Sequence, residues 1–161
     1  MSENRASAGP AVVVDFRGME RTKQTDMDLG RARAFFSADR FATENGIVLE
    51  ERDGAHAVAS LALGERHRNA HGGVMGGAIF TLVDFAFAAL TNGPGRSTVA
   101  QQVSVNFLAA PRGGRLVATA RWRKDGRSSC VVNVDVVDDA GRDVAQFVGT
   151  GFKLAGRESS S

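Results

Sequence analysis

One cysteine, Cys130, is present in 161 residues, so no disulfide can close within the chain. That excludes a disulfide scaffold. In the run SSCVVNVDVV the thiol reads as a small buried hydrophobe. An excess of one charge is also missing. Twenty Lys and Arg stand against 18 Asp and Glu, a net charge of +2. This is too little to argue for nucleic acid, although a local basic patch for an anionic ligand stays open. No apolar run is long enough to span a bilayer. The longest, residues 78–90, is about 13 residues and is interrupted by Asp84. Val12 to Val14 is too short for the core of a signal peptide, so a cytoplasmic location with no membrane partner is the expectation. The three histidines, His56, His67 and His71, fit no standard ligand spacing, and no cysteine assists them. No metal is expected. No nucleophile elbow precedes Ser128-Ser129, and neither a P-loop nor a Gly-x-Gly-x-x-Gly fingerprint occurs.

Length and composition fit one globular domain with a proper core. Residues 1–27 mix Ser, Gly, Pro, Ala and charges without a sustained period and are expected to be a disordered extension, apart from a possible edge strand at Val12–Phe16. The domain is expected over 28–155, with a tail at 156–161.

Residues 28–43 place Leu29, Ala32, Phe35, Phe36 and Phe41 at helical spacing behind Asp28 as N-cap. Asn45-Gly46 ends that helix. Ile47–Glu51 and His56–Leu63 read as strands joined at Asp53-Gly54. After residue 96 the pattern turns to period two. Thr98–Leu108, Arg115–Arg123, Ser129–Val137 and Val144–Leu154 read as four more strands, with connections short enough for hairpins. An antiparallel sheet with one face covered by a central helix is the economical α+β arrangement.

That central helix falls within Asn69–Leu90, NAHGGVMGGAIFTLVDFAFAAL, where the chain is organised. Asp84 is the one formally charged residue between Asn69 and Gly95. A helix over 77–91 is about 23 Å long. Its apolar residues go all the way round, which predicts a helix enclosed on all sides. Gly77, Thr81, Asp84 and Ala88 form one narrow stripe of small or polar character, suited to line a crevice. A buried carboxylate must be paired, wetted or neutral, which fits a structural Asp at a subunit contact as well as a catalytic one. Gly76-Gly77 at the helix start favours the second. Free N–H groups there attract negative charge and let a ligand approach the backbone, as an oxyanion hole requires.

On these residues the chain resembles the hotdog-fold acyl-CoA thioesterases of the phenylacetate-pathway (PaaI-like) type. The family pattern runs Asn, five residues, His-Gly-Gly, six residues, Asp. Asn69, Met75-Gly76-Gly77 and Asp84 reproduce the spacing, and the likeness extends from about Phe35 to about Leu154. The resemblance implies a hotdog fold, a long helix wrapped by about six antiparallel strands, forming homodimers often paired into homotetramers. The implied reaction is hydrolysis of an acyl-CoA thioester with no metal or organic cofactor. Asp84 is then the catalytic base or nucleophile, the Gly77 N–H polarises the carbonyl, and Asn69 holds water or carbonyl from across the cleft. Gly76, Met75, His71, Thr81 and Gln101 are the candidate substrate-binding residues, His71 as a loop residue near the cleft mouth and Gln101 as a group to position water.

The chain departs from the pattern in two places. Met75 stands where the family has His and cannot supply an imidazole's hydrogen bonds. Gln101-Gln102 stands where relatives often carry Ser or Thr. Two rival readings on the same scaffold remain, the first motivated by Met75. One is an acyl-CoA-binding protein with weak catalysis. The other is an enoyl-CoA hydratase, which the missing imidazole disfavours. Arg112, Arg121, Arg123, Lys124 and Arg127 are candidates to meet the phosphates of coenzyme A.

Overall fold

A computed structural model describes residues 28–154. The disordered extension, the Val12–Phe16 strand and the tail lie outside the described residues. Two short helices, α1 (Leu29–Phe36) and α2 (Arg40–Glu44), lead into strands β1 (Ile47–Arg52) and β2 (His56–Ala62). A 3-10 turn (Glu65–His67) and a glycine-rich loop then reach the long helix α3 (Gly76–Thr91). Strands β3 (Ser97–Phe107), β4 (Arg115–Asp125), β5 (Ser129–Asp138) and β6 (Asp143–Leu154) complete one six-stranded antiparallel sheet in the order β1-β2-β4-β5-β6-β3. The central helix, the six strands and the α+β class are as expected.

The helix lies on the sheet because the strands under it carry small side chains. Ala57 sits opposite Ala120, and Ala59 opposite Ala118, all four fully buried. Leu82, Val83 and Phe87 of α3 are buried in the core between helix and sheet. Farther along, Gly149 and Gly151 of β6 make room for Phe87. A Cβ on Gly149 would stand 2.6 Å from Phe147 Cε1, and one on Gly151 would stand 2.6 Å from Thr98 Cγ2 and 3.0 Å from Phe87 Cζ. Arg52 closes the far end of α3. Its guanidinium donates to the Ala89 and Asn92 carbonyl oxygens at 2.6 and 3.0 Å, a cation at the negative end of the helix.

Three expectations need correction. The helix expected over 28–43 is two helices. Asp39 caps a new start by accepting from the Ala42 N–H, and this local side-chain bond competes with continuation of the first helix. The connection after β3 is not a hairpin. It crosses the ends of β6 and β5 to reach β4, and the buried Asp138 carboxylate holds it there. Asp138 Oδ2 accepts from the Arg112 and Gly113 N–H groups, while Oδ1 accepts from Ala140 and Arg142 in the β5–β6 turn. Those four donors hold the Asp138 pKa down at about 2. Last, α3 is not enclosed all round in one chain. Met75, Gly77, Phe80 and Asp84 stand exposed, with Thr81 and Ala88 half-buried beside them. The sheet covers only one side of the helix, and the stripe of small and polar residues is the side it leaves open.

Candidate active site

The approach to α3 is a loop built on its own asparagine. Asn69 Oδ1 accepts from the His71 N–H at 2.9 Å and the Gly73 N–H at 3.1 Å, and the Asn69 N–H donates to the Gly73 carbonyl oxygen at 2.8 Å. Gly72 takes φ +78° to close the turn, a conformation glycine tolerates. Asn69 therefore spends its oxygen on the loop. Only its amide nitrogen is uncommitted toward a ligand.

His67 anchors the loop to the domain. It is buried. Its Nδ1 accepts from the Gly64 N–H at 2.9 Å, so its Nε2 carries the proton and donates to the Asn45 carbonyl oxygen at 2.8 Å. Its own carbonyl accepts from the Met75 N–H at 2.8 Å, which fixes where α3 begins. Met75 is the N-cap residue, has no capping side-chain bond and is 55% exposed. The Ala78 and Ile79 N–H groups turn back onto the Met75 carbonyl oxygen. The Gly76 and Gly77 N–H groups have no acceptor among the described residues. They form the positive end of a 16-residue helix. Against Gly76 lies the Phe107 ring, whose Cζ a Cβ there would approach to 3.2 Å. At Gly77 a Cβ would meet only Met75 atoms, the nearest at 3.8 Å.

Along the open stripe, Thr81 Oγ1 donates to the Gly77 carbonyl oxygen at 2.8 Å. Asp84 follows less than one turn later. It is exposed rather than buried, and its carboxylate has no hydrogen-bond or ion-pair partner among the described residues. Desolvation by the apolar surface around it raises its pKa, and the negative charge of Asp39 raises it further.

Beside the start of α3 is a cavity of about 350 Å³. Phe41, Ile47, Leu61, Ala78 and Phe80 give it apolar walls. Met75, Gly77 and Thr81 line it from the helix, and Asn45, Arg66 and His67 from the preceding segments. Of the residues singled out from sequence, this cavity brings together Met75, Gly77 and Thr81. Asn69, His71, Gly76, Asp84 and Gln101 do not line it. His71 is an exposed loop residue. Gln101 is the extra residue of a bulge in β3, exposed on the outermost strand. Arg66, Asn45 and Phe41 were not singled out. Phe41 and Asn45 lie far from the motif in sequence, Arg66 stands three residues before Asn69 and outside its pattern, and the fold brings all three to the cavity that Gly77 lines.

A long helix on one face of a six-stranded antiparallel sheet of this order, with free N–H groups at the helix start and a carboxylate on its open side, defines a hotdog-fold protein. The thioesterase superfamily profile matches residues 71–145. The acyl-coenzyme A thioesterase PaaI of Escherichia coli is 31% identical over 126 residues, 78% of this chain and 90% of that protein. The solved structure of the E. coli PaaI protein from the phenylacetic acid degradation operon superposes with a TM-score of 0.74 at 30% identity, covering 79% of this chain and 93% of that one. A hypothetical thioesterase from Streptococcus pneumoniae, solved with coenzyme A, gives a TM-score of 0.69 at 25% identity over 76% and 99%. The chain belongs to the thioesterase superfamily, in its PaaI-like branch, and is a hydrolase acting on thioester bonds.

Proposed function

We propose that this chain hydrolyses acyl-CoA thioesters at sites shared between two copies of itself. Asp84 supplies the carboxylate, and the start of α3 supplies the oxyanion site. The observation that carries this is the pairing of unbonded Gly76 and Gly77 N–H groups with an unpartnered carboxylate of raised pKa on the same open stripe. The coenzyme A bound by the S. pneumoniae relative and the acyl-CoA activity in the name of the E. coli one support the substrate class.

The thioester carbonyl oxygen accepts from the Gly77 N–H, where the helix dipole stabilises the charge it gains. Asp84 takes a proton from water as that water adds to the carbonyl carbon, or adds to the carbon itself. The tetrahedral species then breaks its C–S bond and coenzyme A leaves as a thiolate. Where water was added the free acid remains, and where Asp84 was added the acyl–Asp84 anhydride is hydrolysed by water to release the acid and restore the carboxylate. No metal or organic cofactor enters this sequence. Asn69 Nδ2 is the group left to hold the water or the carbonyl.

One chain cannot place both groups on one carbonyl. Gly77 and Asp84 are seven residues apart, about 10 Å along the helix axis. A reacting pair needs about 3–3.5 Å. The second group therefore comes from another copy. Strand β3 is the natural seam. Its outer edge is unpaired, and it exposes Val99 and Phe107, an arrangement that invites pairing with another strand. Pairing of β3 with β3 of a second copy would set two open α3 stripes next to each other as a homodimer. Two such dimers would make a homotetramer. A cytoplasmic location goes with a CoA thioester as substrate.

The test is thiol release from short, medium, long and aryl acyl-CoAs. Asp84→Asn is expected to lower kcat at least about 100-fold, within the range of a lost general base, without lowering Tm. Turnover at the wild-type rate would refute the role of Asp84. Co-refolding inactive D84N chains with inactive G77V chains is expected to restore activity, because mixed dimers contain one intact composite site. No restoration, or a monomer in sedimentation, would overturn the pairing of Gly77 with Asp84 across two copies. A second reading, an acyl-CoA-binding protein of low turnover, draws on the exposed Met75 thioether at the helix start. Tight binding with no thiol release across the panel selects it.

A further inference from the structure

One charged side chain lines the cavity beside α3, that of Arg66, an exposed residue. Arg66 lies on the 3-10 turn and lines the cavity. The acid of that turn, Glu65, is 3.6 Å from Arg68, and Arg68 also donates to the Gly72 carbonyl oxygen at 2.9 Å. Arg66 has no hydrogen-bond or ion-pair partner among the described residues. The other side-chain donors at the cavity each have an acceptor, and the Gly77 N–H is the main-chain donor that the helix leaves open. Both His67 ring nitrogens are bonded, Asn45 Nδ2 donates to the Phe41 carbonyl oxygen at 2.7 Å, and Thr81 Oγ1 donates to Gly77. No acidic residue lines the cavity. A guanidinium presents a planar fork of donors that matches a carboxylate and cannot be neutralised by losing a proton.

We propose that this cavity seats the acyl group and that Arg66 selects acyl groups ending in a carboxylate, the CoA monothioesters of dicarboxylic acids. The proposal rests on the thioesterase reading above. The apolar walls take the methylene chain. Gly77, at the same cavity, takes the thioester carbonyl, and Arg66 takes the second carboxylate. A volume of about 350 Å³ is near the lower end for small-molecule sites, which favours a short or medium chain.

Adipoyl-CoA and hexanoyl-CoA, equal in chain length, separate the charge from the chain. Wild type is expected to show kcat/KM about tenfold higher for adipoyl-CoA, and R66Q a ratio near one. R66K, which keeps the charge without the fork, should fall between them. Equilibrium binding of the same two thioesters to D84N repeats the comparison without turnover. If wild type hydrolyses both and R66Q leaves their ratio unchanged, the selection by Arg66 is overturned while the hydrolase reading stands. If neither is hydrolysed but binding to D84N keeps a preference that R66Q abolishes, the selection stands and the hydrolase reading fails. If R66Q weakens both CoA thioesters equally, and the loss disappears with the pantetheine thioesters that lack the nucleotide, Arg66 holds a CoA phosphate and the proposal is overturned.

Discussion

Two pairs of glycines border α3, and they are glycine for different reasons. Gly149 and Gly151 lie under the helix on β6, where an added Cβ would come within 3.0 Å of core atoms. Gly77 lies at the helix start, where an added Cβ would meet only the flexible Met75 side chain at 3.8 Å. Its neighbour Gly76 is intermediate, 3.2 Å from Phe107. The fold demands the β6 pair. Nothing in the single chain demands Gly77, so its small size leaves room for something outside the chain. An open space beside an uncommitted N–H is what an incoming carbonyl oxygen needs.

The contrast breaks if the two sites respond alike to a methyl group. Gly151→Ala is expected to have the largest effect on stability, about 2–3 kcal/mol from overpacking against Thr98, Cys130 and Phe87. In a domain of this size that lowers Tm by roughly 5–10 °C, as differential scanning calorimetry would show. Turnover per folded molecule should not change. Gly77→Ala should do the reverse. Thiol release is expected to fall about tenfold as the methyl group crowds the N–H. Tm should hold or rise, since alanine is the better helix residue by up to about 1 kcal/mol. If Gly77→Ala unfolded the protein, or left activity intact, Gly77 would belong with the β6 pair.

The pH dependence sharpens the same comparison with a smaller effect. Asp84 has its pKa raised by desolvation and by Asp39, so its ionised form is disfavoured in the folded state. Activity that needs the carboxylate is present above that raised pKa and lost as pH falls through it, a limb lying above the ordinary 3.8. The linked stability has the opposite sign. It is fully present below the unfolded value and lost as pH rises through the folded one. Asp84→Asn is therefore expected to remove the acid limb of kcat/KM and to leave the protein at pH 7 as stable as wild type or slightly more so. A limb unmoved by the substitution, or a Tm that drops at pH 7, would mark Asp84 as a structural residue.

Much of the fold was legible in the chain because its cause is local. Period-two runs after residue 96 mark the strands, and the long apolar stretch after Gly76-Gly77 marks α3. The break between α1 and α2 was not legible, because the Asp39 cap competes only weakly with a periodic apolar pattern. Nor was the path from β3 to β4. A connection short enough for a hairpin is also long enough to cross two strand ends, and the choice lies with Asp138 far along the chain. Asp84 illustrates a different limit. Hydropathy counts a residue's neighbours in sequence, and those neighbours are apolar. Its own side chain points to the one face that the sheet leaves uncovered.

The sequence by itself determined the element types, the motif that aligns Asn69, Gly77 and Asp84, and the family those residues resemble, because periodicity, glycine and spacing act over a few residues. Only the tertiary structure decided that Asn69 spends its oxygen on its own loop, that Gly77 is open while Gly151 is crowded, and that Arg66 lines the same cavity as Gly77 with no partner among the described residues. Each of those depends on which distant groups come within a few ångströms, and that is set by packing rather than by order along the chain.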